Sequence, residues 1–546
     1  MRPLNFPRFF HLNPSQSIPY GILVISVVLL GLMMSWMTWG STFYQRVLPF
    51  YDSLSYQQDY LAIVHQNAAE GPAKTLAAVW NEPNSRVVLF KFWAAAFGGL
   101  LPDSNEGLYL YLYAVHGAAI LALAFVTWRL SGSLFLALWA FAAWLSSGPF
   151  SRTVSGVLDQ RMDLASSSFC LLVAALALFW SRAPSITRSL LLGIATALAI
   201  LHRPVMAATI AAPVALFAIR GIIRRRDGTR FWLTHATIAL APVALFAVPW
   251  LLSHYRSLYA YYVVANVDVG SASTMRAAAV YNFGEFASAA GSPYALLLAA
   301  GAAWAVCFRR IEWLEVLALV VAATIPLALL IASRSVGNFL VCQTSLGLPA
   351  LLLACTQPKD QSRPGENLAW VMLGTIVLVN TAVGSLRTIR YGVAAVRAET
   401  RVEALQALVQ IASAQPGGKR LGGFQAFPVD PVGLTTLARE QHIDLQPGPM
   451  AFHPPHFGIA NAAVSTISEP ELRAAITKTV GYFKSDDTLL MLPTAESIPL
   501  LPPVPYSHGK MKMIRAIVEA DASFTRVLTT NPINGVRFDI FRFTKP

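Results

Sequence analysis

The feature of this sequence that most constrains its fold is a series of apolar runs, each about as long as a membrane is thick. A transmembrane helix needs about 20 consecutive, mostly apolar residues, and such runs recur along the first 386 of the 546 residues. Charged residues make up only 13% of the chain, whereas soluble domains carry roughly 25%. A soluble globular domain and a disordered chain are therefore excluded, and we expect a polytopic α-helical membrane protein.

The apolar runs predict about eleven transmembrane helices. The first run is too long for the apolar core of a cleaved signal peptide and lacks a small-residue cleavage site, so we interpret it as a retained anchor. The predicted spans are 19–38, 107–128, 133–149, 163–181, 188–202, 204–222, 231–252, 293–309, 312–333, 335–355 and 367–386.

The positions of the basic residues predict the orientation of the chain. Lys and Arg in short loops mark the cytoplasmic side of a membrane protein. With eleven spans, all the short basic segments fall on the side of the N-terminus, which we therefore expect in the cytoplasm of a bacterial-type inner (plasma) membrane, with the C-terminus extracytoplasmic. This topology also explains the net charge of +13, and no nucleic-acid-binding motif accompanies the charge. The basic residues are Arg2, Arg8, Arg182, Arg188, Arg220, Arg224, Arg225, Arg226, Arg230, Arg309, Arg310, Lys359 and Arg363.

Two long segments between the spans then lie on the outer face, at 39–106 and 253–292. Within the first, residues 53–69 carry spaced apolar residues among polar ones, which is typical of a helix lying in the membrane interface. The run 86–101 is apolar but interrupted by Lys91. We expect it to form a re-entrant or interfacial helix, because it is too short and too charged to span.

The tail differs from the rest of the chain in composition. After a linker, Pro416 to Arg420, helical patterns alternate with short β-like runs such as 488–492 and 535–543. The final run alternates imperfectly between apolar and polar residues, as a half-buried strand does. The sequence therefore predicts a membrane module at 1–386 and a small extracytoplasmic α/β domain at 387–546.

Ionisable residues collect at the predicted outer ends of the spans and in the outer loops. Charged groups near membrane depth are costly and usually line a cavity. Several carboxylates and arginines at one membrane face indicate a site for an anionic, membrane-borne substrate. These residues are Asp52, Asp59, Asp159, Arg161, Asp163, His202, Arg203, Arg256, Asp268, Arg276 and Glu285.

Four short motifs follow one another along this outer face. They are Asp52 with Tyr56, Trp80-Asn-Glu-Pro83 with the later Phe97-Gly98-Gly99, the decapeptide Ser155–Leu164, and Ile200-Leu-His-Arg-Pro204. In this order they resemble the GT-C superfamily of membrane glycosyltransferases, in particular the branch of the protein O-mannosyltransferases and lipid A aminoarabinose transferases. The resemblance implies transfer of a sugar from a polyprenyl-phosphate-linked donor to a glycan, lipid or protein acceptor. The expected partners also include the lipids of the surrounding membrane.

The resemblance also implies roles for individual residues. Asp52 would be the catalytic carboxylate, which takes or orients the proton of the acceptor hydroxyl. The use of a divalent cation (Mg, Mn or Ca) stays open, and Asp159 and Asp163 would be its ligands. The leaving phosphate requires cationic groups, and the expected ones are Arg203, Arg161, Arg256, Arg276 and Lys91. The residues expected on the substrate or acceptor side are Tyr56, Glu82, Asp163 and His202.

Two positions depart from the family pattern. Ser53 stands where many members have a second acidic residue, and Glu82 stands where the aminoarabinose branch has a lysine, so Arg86 or Lys91 would have to replace that lysine. Structural roles also stay open, because Asp52 and Asp163 could cap helices and Arg203 could be a snorkelling anchor.

Two other function classes stay open beside the transferase. The alternative is a transporter or flippase of a lipid-linked or anionic substrate, although the chain lacks the matched halves with broken helices that mark many transporters. The third class is a non-catalytic scaffold or sensor whose outer domain does the binding.

Overall fold

A computed structural model describes part of the chain, and the description begins at Asp52. Predicted spans 19–38, 133–149, 293–309, 335–355 and 367–386 lie outside it, apart from Ala137. The described residues form two compact units, one from Asp59 to Ala332 and one that joins the residues from Thr400 onward with the start of the first helix up to Gln58. The described residues are 52–82, 87–100, 106–131, 137, 162–224, 228–259, 275–276, 278–280, 313–332, 400–414, 420–424, 429, 431–451, 468–484, 488–501 and 508–545.

Three short helices come first. They are α1 (Asp52–Glu70), α2 (Pro72–Asn81) and α3 (Leu89–Phe97). Gly71 separates α1 from α2 with a φ of +83°, a conformation that glycine adopts without steric cost. Pro72 then begins α2, since proline is tolerated in the first turn of a helix. Helix α1 covers the stretch predicted as an interfacial helix, and α3 lies within the apolar run that contains Lys91.

Six further helices coincide with predicted spans. They are α4 (Glu106–Ser131), α5 (Met162–Arg182), α6 (Ile186–His202), α7 (Met206–Arg224), α8 (Gly228–Tyr259) and α9 (Trp313–Ala332). Among the described helices, four are long and apolar enough to cross a membrane: Gly107–Leu130, Ala165–Arg182, Met206–Ile223 and Gly228–Tyr259. Helix α8 contains a π-helical turn at Val243–Ala247 directly after Pro242, a place where proline removes a backbone donor.

Small residues and buried polar pairs fix the packing of these helices. His116 on α4 and Ser168 on α5 hydrogen-bond at 2.7 Å, and Trp180 on α5 donates to Ser189 on α6 at 2.9 Å. Such pairs are suited to helices in lipid, where polar groups must find partners inside the protein. The outward surface of α8 is apolar, as contact with lipid requires, and exposes Leu233, Leu240, Leu245, Phe246 and Leu252.

A buried ion cluster joins the ends of three helices. Glu315, in the first turn of α9, is fully buried and accepts from Arg182 Nε at 2.8 Å. Arg220 on α7 approaches the same carboxylate at 2.9 Å and also donates to the carbonyl of Ser181. A buried charge is tolerated only when it is paired and hydrogen-bonded. These two arginines are therefore ion-pair partners inside the fold as well as members of the one-sided basic set.

The second unit contains a five-stranded mixed sheet with helices. Its strand order is β2-β1-β3-β5-β4, with β1 parallel to β2 and β3, and β5 antiparallel to β3 and β4. Strand β3 is buried along its whole length, as a central strand covered on both faces should be. The elements are α10 (Thr400–Ala414), β1 (Arg420–Phe424), α11 (Pro431–Glu440), β2 (Gln446–Ala451), α12 (Glu469–Val480), β3 (Thr488–Pro493), α13 (His508–Ala520), β4 (Phe524–Thr529) and β5 (Phe538–Phe543).

Candidate active site

Three charged side chains from three elements meet in the first unit. Lys91 Nζ on α3 lies 2.9 Å from Asp59 Oδ2 on α1, and 2.7 Å and 2.9 Å from the two carboxylate oxygens of Glu82, directly after α2. The side chain of Lys91 is only 7% exposed, whereas those of Asp59 and Glu82 are 45% and 38% exposed. A buried ammonium thus bridges two carboxylates that still face the outside of the unit.

The surrounding packing holds this cluster in place. Lys91 follows Phe90, and Ala94 and Ala95 lie one turn later; all three are buried. The side-chain amide of Asn67 on α1 donates to the carbonyl of Ala95, which ties α1 to α3. Asp59 and Asn67 are eight residues apart, so they lie on nearly the same face of α1. The contact between α1 and α3 therefore brings Asp59 to Lys91.

The bonding of Lys91 decides its role in the site. An ammonium has three donors, and the contacts to one oxygen of Asp59 and two of Glu82 take up all three. Lys91 is therefore positioned as a bridge between carboxylates, and its expected role as a phosphate ligand stays a prediction. Two carboxylates and one ammonium leave one net negative charge, and the exposed oxygens can accept hydrogen bonds from hydroxyl groups.

His202, the last residue of α6, is fully buried and hydrogen-bonded at both ring nitrogens. Its Nε2 lies 3.0 Å from the carbonyl oxygen of Met162 on α5, and its Nδ1 lies 2.8 Å from the hydroxyl of Tyr111 on α4. The ring also packs against Phe169, with centroids 5.1 Å apart. Both polar edges of the ring are therefore used inside the fold, and the expected contact of His202 with the substrate stays a prediction.

The same hydrogen bonds involve the residues next to two predicted site positions. Asp163 follows Met162, whose carbonyl oxygen accepts from the His202 ring, and Arg203 follows His202. Arg203 has an extended backbone (φ −147°, ψ 119°), as expected for a residue before proline. Its side chain is partly exposed, in contrast to that of His202.

The structure describes fewer contacts for the remaining predicted site residues. Asp52 begins α1, and Tyr56 lies one turn later with a partly buried side chain. Arg256 in the last turn of α8 is exposed and donates to its neighbour Tyr255 at 3.0 Å, and Arg276 is also exposed. Neither of these two arginines contacts the Lys91 cluster among the residues described. Arg161, Asp159 and Arg86 lie outside the described residues, as do the side chains of Asp52 and Asp163.

The divalent cation that the resemblance left open stays a prediction. Its expected ligands, Asp159 and the side chain of Asp163, lie outside the described residues. Within the described ranges, no three His, Cys, Asp or Glu side chains come together as metal ligands, and we derive no step through a cation.

Sequence reasoning missed two residues of the site. Asp59 was one of many charges expected on the outer face. It lies seven residues after Asp52, which is two turns of one helix, and this spacing is the signal that could have identified it. Tyr111 carried no such signal, because it lies in the middle of an apolar run and its partner His202 is 91 residues away.

Comparison with solved structures identifies the fold. ArnT from Cupriavidus metallidurans bound to undecaprenyl phosphate superposes with a TM-score of 0.55 at 12% identity, over 94% of this chain and 97% of that chain. The apo form of the same ArnT gives a TM-score of 0.56 at the same identity and coverage. No protein-family model and no curated protein sequence matches the chain. At 12% identity this likeness shows the fold alone, and the chain has the fold of these ArnT structures.

Proposed function

We propose that this protein is a glycosyltransferase that moves a sugar from a polyprenyl-phosphate-linked donor to an acceptor at the extracytoplasmic face of a bacterial-type inner membrane. The observation that carries the proposal is the ArnT-like fold over 94% of the chain, together with the charged cluster of Asp59, Glu82 and Lys91. One of the similar ArnT structures is bound to undecaprenyl phosphate, which supports the donor class. The acceptor is a glycan, a lipid or a protein.

The reaction that we propose is a single displacement with inversion at the anomeric carbon. The acceptor hydroxyl oxygen forms a bond to that carbon while the bond from the carbon to the phosphate oxygen breaks. The hydroxyl proton passes to a base, and polyprenyl phosphate leaves with one more negative charge. A carboxylate within hydrogen-bond reach of the hydroxyl is suited to accept the proton, and Asp52 at the start of α1 is our candidate.

The leaving phosphate requires a fixed positive group where charge develops. Arg203 suits this role because its backbone is held beside α5 and its side chain is partly exposed. Arginine also stays charged and can bind two phosphate oxygens at once. Arg161, Arg256 and Arg276 are the further candidates, and Asp163 would lie next to Arg203 on the substrate side.

The carboxylates of Asp59 and Glu82 would bind hydroxyl groups of the substrate. Both are partly exposed and have no hydrogen-bond partner other than Lys91 among the described side chains. Lys91 fixes the distance between them and neutralises one of the two charges. Tyr56, one turn after Asp52, would line the same side.

The proposal is tested by a transfer assay with protein purified in detergent. The protein is incubated with labelled polyprenyl-phosphate sugars and with glycan, glycolipid or protein acceptors. We expect loss of label from the donor, stoichiometric release of polyprenyl phosphate and label in an acceptor fraction, all reduced in the Asp52→Asn variant. If no donor is consumed, but proteoliposomes move the same lipid across the bilayer, the protein is a transporter. If neither occurs, the transferase proposal is wrong and a binding scaffold remains.

A further inference from the structure

We propose that His202 is a positioning residue, a neutral imidazole that holds Arg203 in place for the donor phosphate through hydrogen bonds to Tyr111 and Met162. This inference rests on the proposed function for the identity of the ligand. It assigns to the buried pair Tyr111–His202 a role in donor binding although neither side chain contacts the donor.

The hydrogen-bond partners define the protonation of the ring. A backbone carbonyl can only accept, so His202 Nε2 carries a proton and donates it to the Met162 oxygen at 3.0 Å. In the neutral ring the other nitrogen is an acceptor, and Tyr111 Oη donates to His202 Nδ1 at 2.8 Å. The ring is fully buried between the aromatic rings of Tyr111 and Phe169, where a charged form without a carboxylate partner would be costly.

These two hydrogen bonds fix the end of α6 to two other helices. Tyr111 lies on α4 and Met162 begins α5, so the last residue of α6 is tied to both. The carbonyl of Leu201, one residue earlier, accepts from the backbone of Val88 at the start of α3. The end of α6 is thus held from three sides directly before Arg203.

Arg203 has little backbone freedom of its own. Its N–H closes the last turn of α6 on Ala199 at 3.0 Å, and its carbonyl accepts from Met206 at 2.9 Å. Pro204 restricts the residue before it to extended conformations. The position of the Arg203 backbone therefore depends on where the end of α6 lies, and the His202 side chain helps to set this position.

Loss of the ring would leave the buried Tyr111 hydroxyl without its His202 partner. It would also remove one hydrogen bond from the Met162 carbonyl, which accepts from Ser166 as well. An unsatisfied buried hydroxyl is costly enough to make the backbone move. A shift at His202 moves Arg203 with it. We expect weaker binding of the lipid phosphate with less effect on the chemical step.

The test is a double-mutant cycle between His202 and Arg203, measured on the donor KM, on kcat and on the affinity of the full-length protein for polyprenyl phosphate. His202→Leu should raise the donor KM and the dissociation constant about 10-fold and change kcat less. His202→Gln, whose amide offers one donor and one acceptor, should restore part of the affinity, and Tyr111→Phe should weaken it less than His202→Leu does. In the Arg203→Ala background, His202→Leu should have no further effect on the affinity, because it acts through the arginine.

His235 offers a matched control. It is another buried histidine, on α8, hydrogen-bonded to Ser189 on α6 at 3.0 Å, and Ser189 lies 14 residues before Arg203. His235→Gln should leave the donor affinity within about 2-fold and be additive with Arg203→Ala. Full additivity of His202→Leu with Arg203→Ala, or unchanged affinity in a folded His202→Leu or His202→Gln variant, would overturn the inference. If the native protein transfers no sugar, the proposed function fails, and binding of polyprenyl phosphate still decides the role of His202.

Discussion

The hydroxyl of Tyr60 on α1 occupies the space that a Cβ at Gly107 on α4 would need. Tyr60 is fully buried and directly follows Asp59 along α1. The absence of a side chain at Gly107 is therefore a condition for the close approach of α1 to α4. Because Asp59 is adjacent to Tyr60, this contact helps to set the position of the carboxylate relative to Lys91.

Gly107→Ala is expected to destabilise the first unit and to disturb the charged cluster. A methyl group at this position must displace the Tyr60 ring, and overpacking of this kind costs about 1–3 kcal/mol. Thermal unfolding in detergent should show a lower Tm, and transfer activity should fall. Gly99→Ala is the matched control, because a Cβ at Gly99 meets no atom within 4 Å. Equal stability of the two variants would contradict the packing argument.

Asp52→Asn should leave the protein folded and lower turnover by about 10²-fold or more, as loss of a general base does. The amide keeps the size of the side chain but cannot take the acceptor proton. Initial rates at saturating donor measure the effect. Gln66→Ala is the control on the same helix, since it removes only an exposed hydrogen bond to Glu70. Near-normal turnover of Asp52→Asn would mean that Asp52 only caps α1 and that the base lies elsewhere.

Arg203→Ala should weaken donor binding strongly, and Arg203→Lys should restore it only in part, because an ammonium cannot bind two phosphate oxygens in the planar arrangement of a guanidinium. The apparent affinity for the polyprenyl-phosphate donor is the measurement. Arg129→Ala serves as the control, since Arg129 lies in the last turn of α4 against Trp128. Unchanged donor affinity in Arg203→Ala would refute the assignment and would favour Arg256 and Arg276.

In the second unit, Arg515→Leu should be much more destabilising than Arg526→Leu. Both arginines approach the carboxylate of Asp539, which is only 2% exposed, Arg515 at 2.6 Å and Arg526 at 3.8 Å. Removal of the buried partner leaves a buried charge uncompensated, at a cost of about 3–5 kcal/mol. The pair with Arg526, whose side chain is 60% exposed, contributes about 1 kcal/mol or less. Limited proteolysis of the full-length variants measures the difference, and similar cleavage rates would contradict it.

The predicted orientation is tested by fusing a reporter that is active only outside the cytoplasm after residue 546. The one-sided basic residues predict an active fusion. A fusion of the same reporter after Arg225, in the predicted cytoplasmic loop between α7 and α8, should be silent. The reverse pattern would indicate either an inverted chain or a wrong number of spans before Arg225, and both would move the proposed site to the other face of the membrane.

The apolar runs were sufficient to predict helices α4 to α9, because each run carries in its own 20 or so residues the information for one helix. Hydrogen bonds within a helix join residues only four apart. Apolar side chains can face lipid without a specific contact to another part of the chain. Helices α1 and α3 were also predictable from their own residues, because their sequences differ from the spans in charge and length. For these elements, local sequence determines local structure.

The contacts of the site are decided by tertiary structure. Lys91 has the same sequence neighbours whether it binds a phosphate or two carboxylates, and only the packing of α1 against α3 brings Asp59 and Glu82 to it. His202 likewise has the features of a substrate-facing residue until α4 and α5 close over its ring from partners 91 and 40 residues away. The sequence by itself determined a polytopic helical protein and the charged residues near the ends of its helices. Which of those charges stay exposed and which become internal supports depended on long-range packing, since burial and pairing are properties of neighbours that the chain brings together only when it folds.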